Sequence, residues 1–353
     1  MKISYFHIVL LYCLKQFNGE RSASAIYHLL KGKKSSQTIQ DGKLFNISHM
    51  FSIFPKLSRV QTNSAWHDLL QKGYIEELPE NQFLITEMGK IELETALEQR
   101  PFPKDLHGWN YGDIGRLFWR RLSLLVQVLS NMAYERKVYL PVTKNQDDLQ
   151  WVKMFLKQIK MEKLELIKLL HIEIFEALKV HDDKKAVIFV RKLTSSQKIG
   201  LTFDQIAVKE EEDAHYIYLM FWSVIHSFIY FQQLNDNQFP LFNEIIKDKF
   251  QVDFLTSSSQ KTKTYLLQGK SIQEISRVRR LKESTIEDHI IEITLHDKRF
   301  QPWDFLSESD YNIIKKTIIE LKTHQLKKVR EVLGKTYSYF QIRLVFALMG
   351  RKE

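Results

Sequence analysis

Residues 269–290 carry the densest set of side chains able to act on a polyanion: Gly269-Lys270-Ser271-Ile272-Gln273-Glu274-Ile275-Ser276-Arg277-Val278-Arg279-Arg280-Leu281-Lys282-Glu283-Ser284-Thr285-Ile286-Glu287-Asp288-His289-Ile290. Lys270, Arg277, Arg279, Arg280 and Lys282 can neutralise phosphates, an interaction blind to base sequence that weakens as salt rises. Ser284 and Thr285 are short hydrogen-bonding side chains of the kind that reach base edges. Glu283, Glu287, Asp288 and Glu292 work against them by repelling phosphate.

Ser271 and Ser284 each stand three residues before a glutamate. In such a capping box the hydroxyl and the carboxylate satisfy the free N–H groups at a helix start. Two starts thirteen residues apart predict a short helix, a tight turn and a second helix, with Ile272, Ile275, Leu281, Ile286 and Ile290 as the shared core of a helix-turn-helix. In that arrangement the beginning of the second helix enters the major groove. A helical pair used for protein contacts, with a solvated basic edge, has the same pattern, and both readings stand at this point.

Two weaker groups share the chemistry. Lys33 and Lys34 lie in the basic loop Lys31-Gly32-Lys33-Lys34-Ser35-Ser36. Tyr337, Tyr339 and Arg343 can stack on bases or touch phosphate, although aromatics at this spacing serve equally well as core.

No catalytic pattern accompanies them. A phosphate-cradling loop needs Gly-x-x-x-x-Gly-Lys-Ser/Thr, whereas here Tyr27 stands where the first glycine belongs and Lys34 follows the lysine. Glu212-x-x-His215 is one half of a di-iron pattern that requires a second copy and two further glutamates. His171 and His226 fall in apolar helical stretches and read as hydrogen-bonded core residues. The expectation is a protein that is not an enzyme and uses no cofactor and no metal.

Composition agrees with a nucleic-acid partner without requiring one. The 353 residues carry a net charge of +10, and the isoelectric point is about 9.3. Nineteen Lys and Arg against twelve Asp and Glu fall between Lys261 and Glu353, so the basic surplus is concentrated toward the C-terminus. A single cysteine, Cys13, excludes a disulfide framework and a cysteine zinc cluster, which favours a cytoplasmic, nucleoid-associated location. Two apolar runs, Ile3–Leu14 behind Lys2 and Ala214–Phe231, are interrupted by His7, His215 and His226, and read as buried core helices rather than membrane segments.

The elements that must position these residues are mostly helical, since twelve glycines and seven prolines allow few sharp turns in a chain this long. The fold class expected is mainly all-α. Residues 1–100 form a winged-helix-like domain ending at Arg100-Pro101-Phe102-Pro103, residues 104–255 a helical bundle, and residues 260–353 a helix-turn-helix domain beyond the polar linker Thr256–Gln260. The first domain contains helices Tyr5–Phe17, Ser22–Leu30 and Ser64–Lys72, then a strand, the turn Pro79-Glu80-Asn81 and a second strand, which is the order of a winged helix. The bundle has helices Leu117–Met132, Leu149–Val180 and Ala214–Leu234, and Lys192–Ala207 can hold a further small turn. Ser307–Asp310 caps a helix over Tyr311–Thr323.

Several of these motifs resemble those of a known family. Gly269-Lys270-Ser271-Ile272-x-Glu274-Ile275, Arg280-Leu281, Ser284-Thr285-Ile286-Glu287-x-His289 and Tyr337-Ser338-Tyr339-x-x-Ile342-Arg343 resemble the C-terminal helix-turn-helix domain of many RecQ-type helicases. Leu29-Leu30-Lys31-Gly32, Leu69–Ile75 and Thr86-x-x-Gly89 resemble, more loosely, the winged helix of the same enzymes. Taken whole, the chain is similar to the YpbB family of Gram-positive bacteria. That resemblance implies genomic association with a RecQ-like helicase. It implies a protein that supplies in trans the DNA-binding modules a truncated helicase lacks, acting in recombination or repair. A transcriptional regulator binding duplex DNA and a protein–protein adaptor without DNA contact are the alternatives the residues leave open.

Overall fold

The computed structural model describes residues 3–234, 238–249 and 255–351. Lys2 and the stretch 250–254, beside the expected boundary at 255, lie outside the described residues. The helices run α1 (Tyr5–Phe17), α2 (Ala23–Lys31), α3 (Ser36–Leu44), α4 (Arg59–Gln71), α5 (Glu87–Gln99) and α6 (Gly108–Ala133). They continue as α7 (Gln146–Gln158), α8 (Lys163–Leu178), α9 (Asp183–Lys192), α10 (Phe203–Lys209), α11 (Ala214–Leu234) and α12 (Pro240–Ile246). The last six are α13 (Ser257–Leu267), α14 (Ile272–Arg279), α15 (Glu283–His296), α16 (Glu308–Leu321), α17 (Leu326–Val332) and α18 (Tyr339–Met349). Among the described residues the only sheet is the antiparallel pair β1 (Ile75–Leu78) and β2 (Gln82–Ile85), so the fold is mainly all-α. Contacts group the chain into two compact units, one of residues 1–9 with 92–251 and one of residues 10–91 with 252–353.

The bundle unit is organised around α11. Ile217, Phe221, Val224, Ile225, Phe228 and Ile229 are buried together with Phe118 and Leu122 of α6, Phe189 of α9 and Phe242 of α12. The apolar run that could be mistaken for a membrane segment is thus a core helix, and among the described residues no helix is long and apolar enough to cross a membrane. His226 is buried on it and accepts the His107 backbone N–H through Nδ1 at 3.1 Å. Burial, helped by His107 and Arg116, holds its imidazole neutral with a pKa pushed down to about 3. The short α12 is gripped at both ends by side chains that satisfy its free backbone groups. At its start, Glu173 accepts the Leu241 and Phe242 N–H groups at 2.8 and 2.9 Å. At its end, the Arg121 guanidinium donates to the Ile245 carbonyl at 2.6 Å and to both oxygens of Asp248. Glu212 is ion-paired to Arg100 at 2.6 Å and to Lys184 at 2.7 Å, which engages the carboxylate of the Glu-x-x-His pattern. The stretch Leu149–Val180 resolves into two helices, α7 and α8, and Lys192–Ala207 contains the start of α10, closed by a Thr202–Gln205 capping box.

In the second unit the hairpin follows α4 as the sequence order required, with Ile75 opposite Ile85 and Leu78 opposite Gln82. Ser22 adds an antiparallel bridge to Gln82, which ties the start of α2 to the wing. The helix α4 begins at Arg59, earlier than the expected Ser64, because Ser58 and Gln61 form a capping box that the sequence reading passed over. The Thr86-x-x-Gly89 motif has a steric basis. The Thr86 hydroxyl donates to the Gly73 carbonyl at 2.7 Å and accepts the Gly89 N–H at 3.1 Å. This brings the Gly89 Cα so close to the Tyr74 carbonyl oxygen that a Cβ would lie 2.1 Å from it. Gly89→Ala is therefore expected to cost about 1–3 kcal/mol of stability, the usual penalty of overpacking. Urea unfolding measures it, and an unchanged midpoint would show that the wing relaxes freely.

The same unit is completed from the far end of the chain. Helix α3, unforeseen in the sequence, buries Thr38, Gln40 and Asp41. Arg21 reaches Asp41 at 2.8 Å, and Gln40 donates to the Arg343 carbonyl of α18 at 3.2 Å. Glu20 accepts the Thr323 hydroxyl and the His324 N–H, both at 2.8 Å. The polar stretch expected as a linker, Thr256–Gln260, is instead the capped first turn of α13. Its buried Ser259 donates to the buried Glu292 of α15 at 2.7 Å, and Thr256 donates to the same carboxylate. A string of hydroxyls reads as solvated linker until a carboxylate distant in sequence supplies its acceptor.

Candidate nucleic-acid interface

The turn between α14 and α15 is built by side chains from both helices. Ser271 and Glu274 form the expected capping box, with the Ser271 N–H donating to Glu274 at 2.8 Å. Helix α14 ends on Arg280, which sits in the left-handed region at φ 53°. The Leu281 N–H returns to the Ser276 carbonyl at 3.0 Å, while the Ser276 hydroxyl donates to the Leu281 carbonyl at 2.6 Å, so one serine staples the turn. Ser284 and Glu287 do not form the second capping box. Lys282 occupies the N-cap position and makes no side-chain cap, which places Ser284 inside the first turn and starts the helix earlier than the serine spacing implied. The tight left-handed turn sets the helix start, and a Ser-x-x-Glu match one residue further on is then coincidental.

Ile275, Ile286 and Ile290 are fully buried as the shared core. Around the turn Arg277, Arg280, Lys282 and Ser284 are exposed, with Thr285 half-buried beside them. None of these three cations forms an ion pair among the described residues. Lys270, at the entrance to α14, lies 5.5 Å over the Tyr265 ring. Two of the four acidic side chains expected to repel phosphate are directed elsewhere: Glu292 is buried against α13, and Asp288 is ion-paired with Arg343 at 2.7 Å. The middle of α15 is accordingly less acidic toward solvent than its sequence reads, while Glu283 stays exposed in the first turn.

The remaining expected contacts fall apart from this cluster. Arg279 points into the unit, donating to the Ser258 carbonyl at 2.8 Å and hydroxyl at 2.9 Å, and to the Thr262 hydroxyl. It also faces His289 Nδ1 at 3.2 Å. Burial and that neighbouring guanidinium keep His289 neutral, its pKa pushed down to about 4. Arg343 divides its donors among Gln40 at 3.2 Å, Ser36 at 2.5 Å and Asp288. Both arginines act as ties between helices, a role their charge alone did not disclose. Tyr337 donates to Asp310 at 3.0 Å, and the Arg330 guanidinium covers the Tyr339 ring at 4.5 Å. Lys33 and Lys34 are exposed between α2 and α3, contributed by different elements from those of the turn. Arg59, not among the expected contacts, is a further exposed cation of the same unit. The Ser58-x-x-Gln61 spacing was the signal that would have placed it, exposed, on the first turn of α4.

The left-handed Arg280 separates stability from binding. A non-glycine residue there costs about 1 kcal/mol relative to glycine. Arg280→Gly is expected to add about that much to the unfolding free energy, read as a higher urea midpoint, while weakening any duplex binding severalfold. Parallel loss of both would show that the side chain also supports the turn.

Residues 258–346 match a family model described as a helix-turn-helix domain, which spans α13 to α18 nearly end to end. Over 345 residues the chain is 40% identical to Protein YpbB of Bacillus subtilis (strain 168), covering 98% of this chain and 97% of that protein. No solved structure matches the chain. The similarity runs through the winged-helix-like segment, the bundle and the helix-turn-helix alike, and the chain belongs to the YpbB family.

Proposed function

We propose that this protein is a DNA-binding accessory factor without catalytic activity of its own, acting with a RecQ-like helicase in recombination or repair. The observation that carries the DNA contact is the trio Arg277, Arg280 and Lys282, exposed and free of ion pairs among the described residues, beside Ser284 and Thr285 on the first turn of α15. The three cations hold phosphates, and the two hydroxyl side chains face the groove. Lys270, Lys33 and Lys34 add phosphate contacts at the margins. The helicase partnership rests on the likeness of residues 269–343 and 29–89 to the C-terminal modules of such enzymes.

Fluorescence anisotropy of the whole chain on labelled duplex, forked and single-stranded DNA, over a salt series, tests the reading. Salt-dependent binding that favours forks supports it, and adding a purified RecQ-like helicase should then raise unwinding of the fork. High affinity for one duplex sequence would turn the reading into a transcriptional regulator. Absence of binding at low salt would leave a protein–protein adaptor.

A further inference from the structure

The second unit carries another concave, cationic feature, built by α2, α4 and the hairpin. These elements enclose a cleft of about 350 Å³ whose lining includes Tyr27, Arg59, Asn63, Trp66, His67 and Asn81. Its floor is rigid, because the buried Trp66 stacks on Phe83 with ring centroids 5.3 Å apart. Its rim is basic. The Arg59 guanidinium lies 4.7 Å over the Tyr27 ring, and Lys31 Nζ lies 5.3 Å over the same ring while donating to the Tyr27 hydroxyl at 2.9 Å. Lys33 follows two residues on. Among the described residues none of these three cations is paired with a carboxylate. Their field is felt locally: burial and then Lys33, Arg59 and Lys31 all push the His28 pKa down.

Cations free of carboxylate partners beside an aromatic floor, an amide and an imidazole are the combination that single-stranded nucleic acid requires, phosphate on the charges and base against the rings and amides. A double helix is read by elements that protrude into its grooves. A concavity of this volume takes one nucleotide instead. We infer that the α2–α4–hairpin cleft binds one unpaired nucleotide of a single strand, its phosphate held by Arg59 and Lys31 and its base set against Asn63, His67 and the Trp66 edge. The inference rests on the reading that the partner is nucleic acid, but assigns a second contact with a different substrate form from the duplex contact at the α14–α15 turn.

The test uses the full chain with two fluorescent probes, hexathymidylate and a short duplex. The double variant Arg59→Ala, Lys31→Ala is expected to weaken hexathymidylate binding about tenfold and to leave duplex affinity within about twofold. Asn63→Ala with His67→Ala should lower hexathymidylate affinity about threefold, since it removes base contacts and keeps the phosphate contacts. Variants of Arg277, Arg280 and Lys282 should show the reverse selectivity. Duplex binding without hexathymidylate binding, or hexathymidylate affinity unmoved by the Arg59 and Lys31 changes, would overturn the inference and leave the proposed function standing. Hexathymidylate binding that those changes abolish, without duplex binding, would keep the cleft and remove the helix-turn-helix contact. Failure of both probes would overturn both.

Discussion

Replacing Arg277, Arg280 and Lys282 together by alanine is expected to lower duplex affinity about 100-fold near physiological salt. Each phosphate contact contributes about 0.9 to the slope of log affinity against log salt, so that slope should fall by roughly 2 to 3. The folded state should be unaffected, because the three side chains are exposed and make no ion pairs among the described residues. Arg279→Ala supplies the contrast. Its guanidinium holds α14 to Ser258 and Thr262, so its loss should cost about 1–3 kcal/mol of stability and weaken binding only through the turn it supports. Anisotropy and urea unfolding on the two variants separate the roles. A triple variant that binds duplex as the parent does would remove the turn as the contact.

The second large effect is acid sensitivity of the helix-turn-helix unit. Helix α15 carries two histidines held neutral in the folded state: His289, pushed down to about 4 by burial and Arg279, and His296, pushed down to about 3 by burial and Lys43. An unfolded histidine takes up its proton near pH 6.5. Above that value both states are neutral and stability is complete. As pH falls below 6.5 the unfolded chain binds protons that the folded chain refuses, and stability declines until the folded pKa values are reached. The loss between pH 6.5 and 5 is on the order of 3 kcal/mol for the pair. Glu20 and Asp297, whose carboxyls are held below their ordinary values by hydrogen bonds and charged neighbours despite burial, act only at more acid pH. In the bundle Glu173 works in the opposite sense. Burial raises it to about 7, so its protonation on acidification favours folding and offsets part of the burden of His226. Urea midpoints at pH 7.5, 6 and 5 should therefore fall steeply, and His296→Leu should flatten the decline. A flat profile in the parent would show that both imidazoles titrate normally.

Much of the fold could be read from local patterns because its causes are local. Ser271 and Glu274 lie three residues apart and cap α14 as their spacing requires, and the strand–turn–strand order at 75–85 gives the wing. What escaped reading depends on partners remote in sequence. Helix α3 is too polar to show an apolar stripe, since Gln40 and Asp41 are buried against Arg343 and Arg21. Arg279 and Arg343 count as phosphate ligands by charge alone, and only the positions of Ser258, Thr262, Ser36 and Asp288 reveal that their donors are taken. The same holds for Glu292, acidic in sequence and a buried acceptor in the structure. The trio at the turn stays exposed as the sequence suggests, because among the described residues no carboxylate pairs with it.

The assembly of one unit from segments on either side of the bundle in sequence has a consequence during synthesis. Helix α3 leaves the ribosome long before α15 and α18, its packing partners, exist. At 5–20 residues per second the delay before α18 is on the order of 15–60 s. Throughout that interval Gln40 and Asp41 lack part of their burial, while the intervening bundle can already have emerged and folded. The nascent N-terminal segment is thus a half-unit that waits for helices made much later. A chain truncated anywhere before α18 should be cleared by proteases rather than accumulate as a partial protein.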